Sequence, residues 1–131
     1  MLPLKKEVYI DPVVMTLLKD MSVSNNNKVG ILRVKNATMI LESLFDFELS
    51  KDNFEKLPKN EPRYILLRSQ KIRHKDHLPQ KLILFYWCPR LAILKDKIEY
   101  TSARTSLLNA LPRGSYTLFL NNIRGLMRLT R

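Results

Sequence analysis

The sequence is poor in the residues that disulfides, phosphate-binding loops and metal sites require. Its 131 residues include one cysteine, two histidines and three glycines. The single cysteine, Cys88, excludes an internal disulfide and is typical of proteins from a reducing compartment, so we expect an intracellular protein. The glycines at positions 30, 114 and 125 lie far apart, and none belongs to a glycine-rich phosphate-binding loop.

Long apolar runs are also missing. The longest, Leu82 to Trp87, is far shorter than the roughly 20 residues that cross a bilayer. Lys5 and Lys6 are not followed by an apolar segment long enough for a signal peptide. With 45% hydrophobic and 27% charged residues, the composition is that of a folded protein, and the length predicts one domain over residues 1–131.

Acidic residues are scarce relative to basic ones. There are 23 Lys+Arg and 12 Asp+Glu residues, which gives a net charge of +11. Such an excess indicates an anionic partner. Nucleic acid, an anionic lipid surface and an acidic protein surface all remain open on composition alone.

Residues with catalytic or metal-binding chemistry do not form a complete set. His74 and His77 lie in a basic stretch without a nearby carboxylate cluster, so the ligands of a metal site are incomplete. Cys88 precedes Pro89 and would need a neighbouring base to act as a nucleophile, and nothing in the sequence supplies one. We therefore expect no enzyme, no metal and no cofactor.

The hydrophobic pattern predicts an α+β (mixed α/β) fold. We expect one central mixed sheet of about five strands, with helices on both faces. The predicted strands cover residues 28–34, 38–47, 64–68, 82–87 and 116–120, and the predicted helices cover 12–21, 50–57, 93–111 and 122–131.

Two local signals add detail to the first half of the chain. Asp11-Pro12 is a good helix start, because Asp caps free amides and Pro fits the first helical position. The first two strands should form an antiparallel hairpin around a turn at Lys35-Asn36. Alternation in the second strand predicts one side made of Met39, Leu41, Phe45 and Phe47, and an opposite side with Glu42 and Asp46.

The long helix after Pro89 has two different sides. At ~100° per residue, the side expected to face the core consists of Ile93, Tyr100, Ala103, Leu107 and Leu111. Leu94 and Ile98 fall on the opposite side, close to Thr105 and Asn109. An exposed helix with apolar residues beside lysines favours docking into a groove of another protein.

Two segments carry a resemblance to a known family. FEKLPKNEPRYILL (54–67) and KLILFYWCPRLAILKDKIEYTSARTSLLNAL (81–111) resemble the actin-depolymerising factor/cofilin family, whose domain is the ADF-homology domain. The resemblance implies a mixed sheet between helices. It also implies a monomeric cytoplasmic protein of the actin cytoskeleton, with the nucleus left open as a second compartment. Such a protein binds actin monomers and filaments and depolymerises or severs filaments without catalysis.

The resemblance also implies two sets of contact residues. Leu4, Lys5, Leu94, Lys95, Lys97, Ile98 and Arg104 match the surface that binds the actin monomer, although Thr105 stands where the family has an acidic residue. Arg73, Lys75, Lys81, Arg124 and Arg128 are the expected filament contacts. Here Arg73 and Lys75 replace a basic position that is Pro79, and the tail is shorter than usual.

Geometry raises one difficulty for this surface. Lys95 and Lys97 point ~200° apart on a regular helix, and Arg104 lies nearer the core side. Either the two lysines straddle a groove or the helix bends near residues 100–102, and we expect a bend.

Regulation and alternatives complete the expectations. The family is often inhibited by phosphorylation of a serine near the N-terminus, but the first serine here is Ser22, so we expect this switch to be absent.

Within the fold, the alternative is a glia-maturation-factor-like protein that binds the actin branching complex. Phosphoinositide binding at the same basic surface is compatible with actin binding. The alternative from another class is a basic module that binds nucleic acid or phosphoinositides through the net charge of +11. A specific nucleic-acid partner is not expected, since no exposed strand interleaves aromatic and basic residues.

Overall fold

The structure is a computed structural model that describes residues 8–23, 28–46, 57–68, 82–111 and 117–120. Its strands are β1 (Tyr9–Ile10), β2 (Lys28–Lys35), β3 (Thr38–Asp46), β4 (Arg63–Arg68), β5 (Leu82–Trp87) and β6 (Thr117–Leu120). Its helices are α1 (Pro12–Val23) and α2 (Leu94–Ala110). Neither described helix is long and apolar enough to span a membrane.

The six described strands form one mixed sheet in the order β1-β3-β2-β4-β5-β6. The two outermost pairs, β1 with β3 and β5 with β6, are parallel, and the central pairs are antiparallel. The predicted α+β class with a mixed sheet is confirmed. Strand β1 was not predicted, because two residues are too few to show a period of two.

The predicted hairpin is confirmed, with its turn shifted by one residue. Lys35 pairs with Thr38, so Asn36 and Ala37 form a two-residue turn. Both have positive φ, 52° and 58°, as a type I′ turn requires.

A β-bulge in β3 overturns the predicted alternation of that strand. Leu41 pairs with Leu32 and Ser43 pairs with Ile31, which leaves Glu42 as an extra residue. An extra residue shifts all later side chains to the other face. Leu41 therefore packs with the helix-side core and Phe45 with the opposite core, so the prediction that they share one side is wrong. Phe47 lies outside the described residues.

The sheet has a hydrophobic core on each face. Buried residues of α1 and α2 pack with Leu32, Tyr64 and Leu84 on one face. Residues of the alternate parity, such as Ile65 and Phe85, form a second core on the other face with Leu57. The apolar runs of β4 and β5 thus reflect burial on both sides. The predicted helices over 50–57 and 122–131 fall largely or wholly outside the described residues.

Helix α1 begins as its sequence predicts. The amide of Val13 donates to a carboxylate oxygen of Asp11 over 2.9 Å, and the amide of Met15 donates to the backbone carbonyl of Asp11 over 3.1 Å. Asp11 therefore caps the helix and Pro12 occupies its first position.

Candidate functional site

The candidate site is the outer side of α2, and it begins at an uncapped helix end. Ile93 is the N-cap, with extended backbone angles (φ −78°, ψ 156°) and no side-chain capping bond. Its carbonyl accepts from the amide of Lys97 over 3.1 Å. Asp96 in the first turn carries the negative charge that a helix N-terminus favours.

The inner side of α2 is buried as predicted at its centre. Tyr100, Ala103 and Leu107 are buried in the helix-side core, and Leu111 packs partly against it. Ile93 does not belong to this side, because more than half of its surface is exposed. It precedes the first helical residue, so the helical period that predicted its burial does not apply to it.

The outer side of α2 is an exposed apolar ridge. Leu94 is 71% exposed and Ile98 is 58% exposed, and one helical turn separates them. Thr105 and Asn109 continue the same side and are also exposed. The predicted apolar residues therefore do face away from the sheet.

Further exposed apolar residues adjoin this ridge along the chain and were not among the predicted site residues. Leu91 and Ile93 lie just before the helix, and Leu108 lies near its end. The signal that could have revealed the first two is the run Leu91-Ala92-Ile93-Leu94, in which only Ala92 is buried. We define the outer surface of α2 as Leu91, Ile93, Leu94, Lys95, Lys97, Ile98, Arg104 and Leu108.

Basic side chains flank this ridge on both sides. Lys95 is exposed on one flank, whereas Lys97 (partly buried) and Arg104 (exposed) lie on the other. Lys97 and Arg104 are seven residues apart, which places them about 20° from each other around the axis. On a regular helix, Lys95 and Lys97 therefore lie on opposite flanks of the ridge.

Helix α2 is continuous through the position of the expected bend. Two side chains there hydrogen-bond to carbonyls four residues earlier: Thr101 donates to Lys97 over 2.7 Å, and Ser102 donates to Ile98 over 3.1 Å. In addition, the hydroxyl of Tyr64 donates to the backbone carbonyl of Tyr100 over 2.5 Å. Contacts of these kinds bend helices, but the bend itself stays a prediction.

The inner side of α2 is fixed to the sheet at Tyr100. The phenolic oxygen of Tyr100 accepts from the amide of Val34 over 3.0 Å and from the guanidinium of Arg63 over 3.2 Å. Burial raises the pKa of Tyr100 despite the opposing effect of these two donors. The hydroxyl is therefore neutral at physiological pH, and it acts as a structural anchor.

Seven of the predicted site residues lie outside the described part of the chain. These are Leu4 and Lys5 of the monomer set, and all of the filament set, namely Arg73, Lys75, Lys81, Arg124 and Arg128. His74 and His77 lie outside it as well. Among the described residues, no group of three or more histidine, cysteine, aspartate or glutamate side chains could hold a metal ion.

Comparison with known proteins identifies the family. The family model described as cofilin/tropomyosin-type actin-binding protein matches residues 7–124. No curated protein matches the chain at a significant level. Among solved structures, actin depolymerization factor 2 of Plasmodium berghei is similar, with a TM-score of 0.73, 18% identity and coverage of 97% of this chain and 98% of that chain.

Two further solved structures show the same fold. ADF/cofilin from Trypanosoma brucei has a TM-score of 0.69 and 22% identity, over 94% of this chain and 90% of that one. Glia maturation factor from Caenorhabditis elegans has a TM-score of 0.70 and 23% identity, over 95% and 92%. At these identities the structures support the fold alone, whereas the family model spans most of the sequence. The chain belongs to the cofilin/tropomyosin-type actin-binding protein family.

Proposed function

We propose that this protein binds actin monomers and filaments through the outer surface of α2 and promotes filament depolymerisation and severing without catalysis. The observation that supports this most directly is the exposure of Leu94 and Ile98, one turn apart, between flanking cations. An exposed apolar ridge of this kind suits a hydrophobic groove with an acidic rim.

The two kinds of residue contribute differently to such a complex. Burying an aliphatic side chain such as Leu94 or Ile98 contributes roughly 1.5–3 kcal/mol. The flanking lysines add specificity and a faster association rate, with a smaller effect on affinity where they stay at the rim. Affinity should therefore depend mainly on the ridge, and its salt dependence mainly on the lysines.

Filament disassembly requires contact with a second actin subunit. We propose that Leu4 and Lys5 extend the monomer surface and that Arg73, Lys75, Lys81, Arg124 and Arg128 hold the neighbouring subunit. A change in filament twist would then weaken adjacent contacts. The protein would act as a monomer in the cytoplasm, at the actin cytoskeleton.

Charge reversal of both flanking lysines tests the monomer surface. Lys95→Glu with Lys97→Glu should weaken binding to monomeric actin about tenfold or more, because each reversal places a carboxylate against the proposed acidic rim of the groove. The matched control is Lys59→Glu, another exposed lysine. It follows Pro58, whose carbonyl accepts from the indole of Trp87 over 2.9 Å, and Trp87 packs against the core opposite α2. Unchanged monomer affinity in the double variant would contradict the proposal.

A second candidate is a glia-maturation-factor-like regulator of the actin branching complex, because a glia maturation factor has the same fold. Co-sedimentation with actin filaments distinguishes the two, with a branch-disassembly assay run in parallel. A protein that pellets with filaments and shortens them is of the first kind, and one that only removes branches is of the second.

Other anionic partners can be tested in the same format. We propose that phosphoinositides share the basic surface with actin, so vesicles containing them should compete with actin monomers. Pelleting with vesicles and with nucleic acid at two salt concentrations measures how much of each interaction is non-specific charge attraction.

A further inference from the structure

We propose that Arg63 is a positioning residue for the outer surface of α2 and that it acts through Tyr100. Arg63 lies on β4 and is only 4% exposed, and none of its described hydrogen bonds reaches the outer surface of α2. The proposal rests on the proposed function for its binding readout, and a second readout in the free protein is independent of actin.

Arg63 joins three elements of the fold through one guanidinium group. Its Nε donates to Glu42 on β3 over 3.0 Å, and its Nη1 donates to the phenolic oxygen of Tyr100 on α2 over 3.2 Å. The same Nη1 lies 2.7 Å from the carbonyl of Pro62 and 3.5 Å from Glu61. A rigid fork of donors can satisfy partners in several directions at once, whereas the ammonium of lysine is a single point.

The bulge in β3 makes this arrangement possible. Glu42 is the extra residue between the pairs Leu41↔Leu32 and Ser43↔Ile31. Bulges redirect a side chain out of the regular alternation. Here the redirected carboxylate meets Arg63, so the buried cation has an anionic partner.

Tyr100 transmits the constraint to the opposite side of α2. It lies two residues after Ile98, and therefore about 200° around the helix from it. Its hydroxyl is fixed by Arg63 and by the amide of Val34, and its carbonyl by Tyr64. A rotation of α2 by about 20° would move a side chain on the outer side by about 2 Å, given a helix radius of about 5 Å.

Apolar packing alone does not fix this rotation as closely. Ala103 and Leu107 are buried and stabilise the packing of the helix on the sheet. Because hydrophobic contact is non-directional, their burial sets the rotation of the helix only loosely. The hydrogen bonds at Tyr100 are directional and depend on a definite orientation. We infer that Arg63 selects the orientation of α2 in which Leu94 and Ile98 form the ridge between the lysines.

The test uses Arg63→Met, Tyr100→Phe and the double variant, with Arg63→Lys as a milder change. Arg33→Met is the matched control. Arg33 pairs with Glu61 over 3.6 Å, and the described hydrogen bond from an arginine to Tyr100 comes from Arg63 and not from Arg33. Each protein is measured for unfolding by urea, for affinity to monomeric actin under conditions where it is folded, and for the amide resonances of residues 94–98 in the absence of actin.

We expect Arg63→Met and Tyr100→Phe each to weaken actin binding about fivefold, with the double variant no weaker than the poorer single variant, because the two residues act as one unit. The amide resonance of Ile98 should shift in both single variants and stay in place in Arg33→Met. If Arg63→Met fails to fold, Arg63→Lys and Tyr100→Phe provide the same comparison.

Two outcomes would overturn the proposal. One is loss of stability in Arg63→Met without a change in either the affinity of the folded protein or the resonances of α2, which is a purely structural role. The other is additive losses of affinity, which would mean that Arg63 does not act through Tyr100. If the wild-type protein does not bind actin, the proposed function fails, and the resonances alone decide the role of Arg63.

Discussion

Tyr64 and Tyr100 are linked twice. The hydroxyl of Tyr64 donates to the backbone carbonyl of Tyr100 over 2.5 Å, and the two rings stack with their centroids 6.0 Å apart. Tyr64 lies on β4 and Tyr100 on α2, so this pair joins the centre of the sheet to the middle of the helix that presents the proposed binding surface.

Removing the hydroxyl of Tyr64 should destabilise the fold moderately. Tyr64→Phe keeps the ring stacking and loses one buried hydrogen bond, which contributes about 1 kcal/mol to the free energy of unfolding. Urea unfolding followed by circular dichroism measures the loss. Tyr9→Phe is the control, because the side chain of Tyr9 is largely exposed and its effect should stay within about 0.5 kcal/mol. Equal effects of both changes would contradict the assigned hydrogen bond.

Stability should fall at alkaline pH because of buried tyrosines. Burial raises the pKa of Tyr64, Tyr86 and Tyr100 above the ordinary value of 10.0. Above pH 10 the unfolded chain releases protons that the folded protein still holds, so the free energy of unfolding decreases as pH rises. Below that pH these groups are neutral in both states and have no such effect.

Comparison of Tyr64→Phe with the wild-type protein separates the contribution of Tyr64 from that of other groups that titrate at high pH. Urea unfolding at about pH 8 and about pH 11 should show a smaller loss of stability in Tyr64→Phe than in the wild-type protein. The same loss in both would mean that the tyrosine at position 64 is already exposed to solvent.

The hairpin turn should tolerate, and gain from, glycine at position 37. Ala37 has a φ of 58°, a conformation that is strained for a residue with a Cβ atom. Ala37→Gly creates the Asn-Gly sequence that type I′ turns prefer, and we expect a gain of up to about 1 kcal/mol in the free energy of unfolding.

Thermal unfolding checks this gain against a second alanine. Ala103→Gly replaces a buried helical alanine and should cost about 1 kcal/mol or more. A destabilised Ala37→Gly protein would argue against the left-handed turn.

Two leucines of α2 should separate stability from binding. Leu107 is fully buried and Leu94 is 71% exposed. Leu107→Ala should cost about 2–5 kcal/mol of the free energy of unfolding, whereas Leu94→Ala should stay within about 0.5 kcal/mol. Affinity for monomeric actin should show the opposite order, with a loss in Leu94→Ala and none in folded Leu107→Ala.

Urea unfolding and actin titration of both variants complete this comparison. Leu44→Ala is the control for an exposed leucine elsewhere, since Leu44 lies on β3 and should affect neither property. A large loss of stability in Leu94→Ala would show that this side of the helix packs within the fold.

Much of the fold can be predicted from the hydrophobic pattern of residues that are close together in the sequence. The continuous apolar run of β5 is typical of a buried strand, and Leu82 to Phe85 are buried. The period of α2 predicts that Leu94 and Ile98 oppose Tyr100 and Leu107, and the structure confirms it. Hydrophobic periodicity depends on residues two to four positions apart, so the sequence contains it directly.

Other features depend on pairs that are distant in the chain. Only tertiary structure places the extra residue Glu42 in β3, reverses the side of Phe45, and exposes Ile93 at the start of α2. The same holds for Arg63, whose charge predicts a surface residue and whose burial depends on partners from β3 and α2.

The sequence by itself determined the order of the described elements from α1 to β6, the buried run of β5 and the two sides of the long helix, because local period is a property of adjacent residues. Tertiary structure alone decided strand register, the bulge and the anchoring of α2 through Arg63 and Tyr100. These contacts join residues as far as 66 positions apart, and the free energy of such a contact depends on which partner the fold brings within hydrogen-bonding distance.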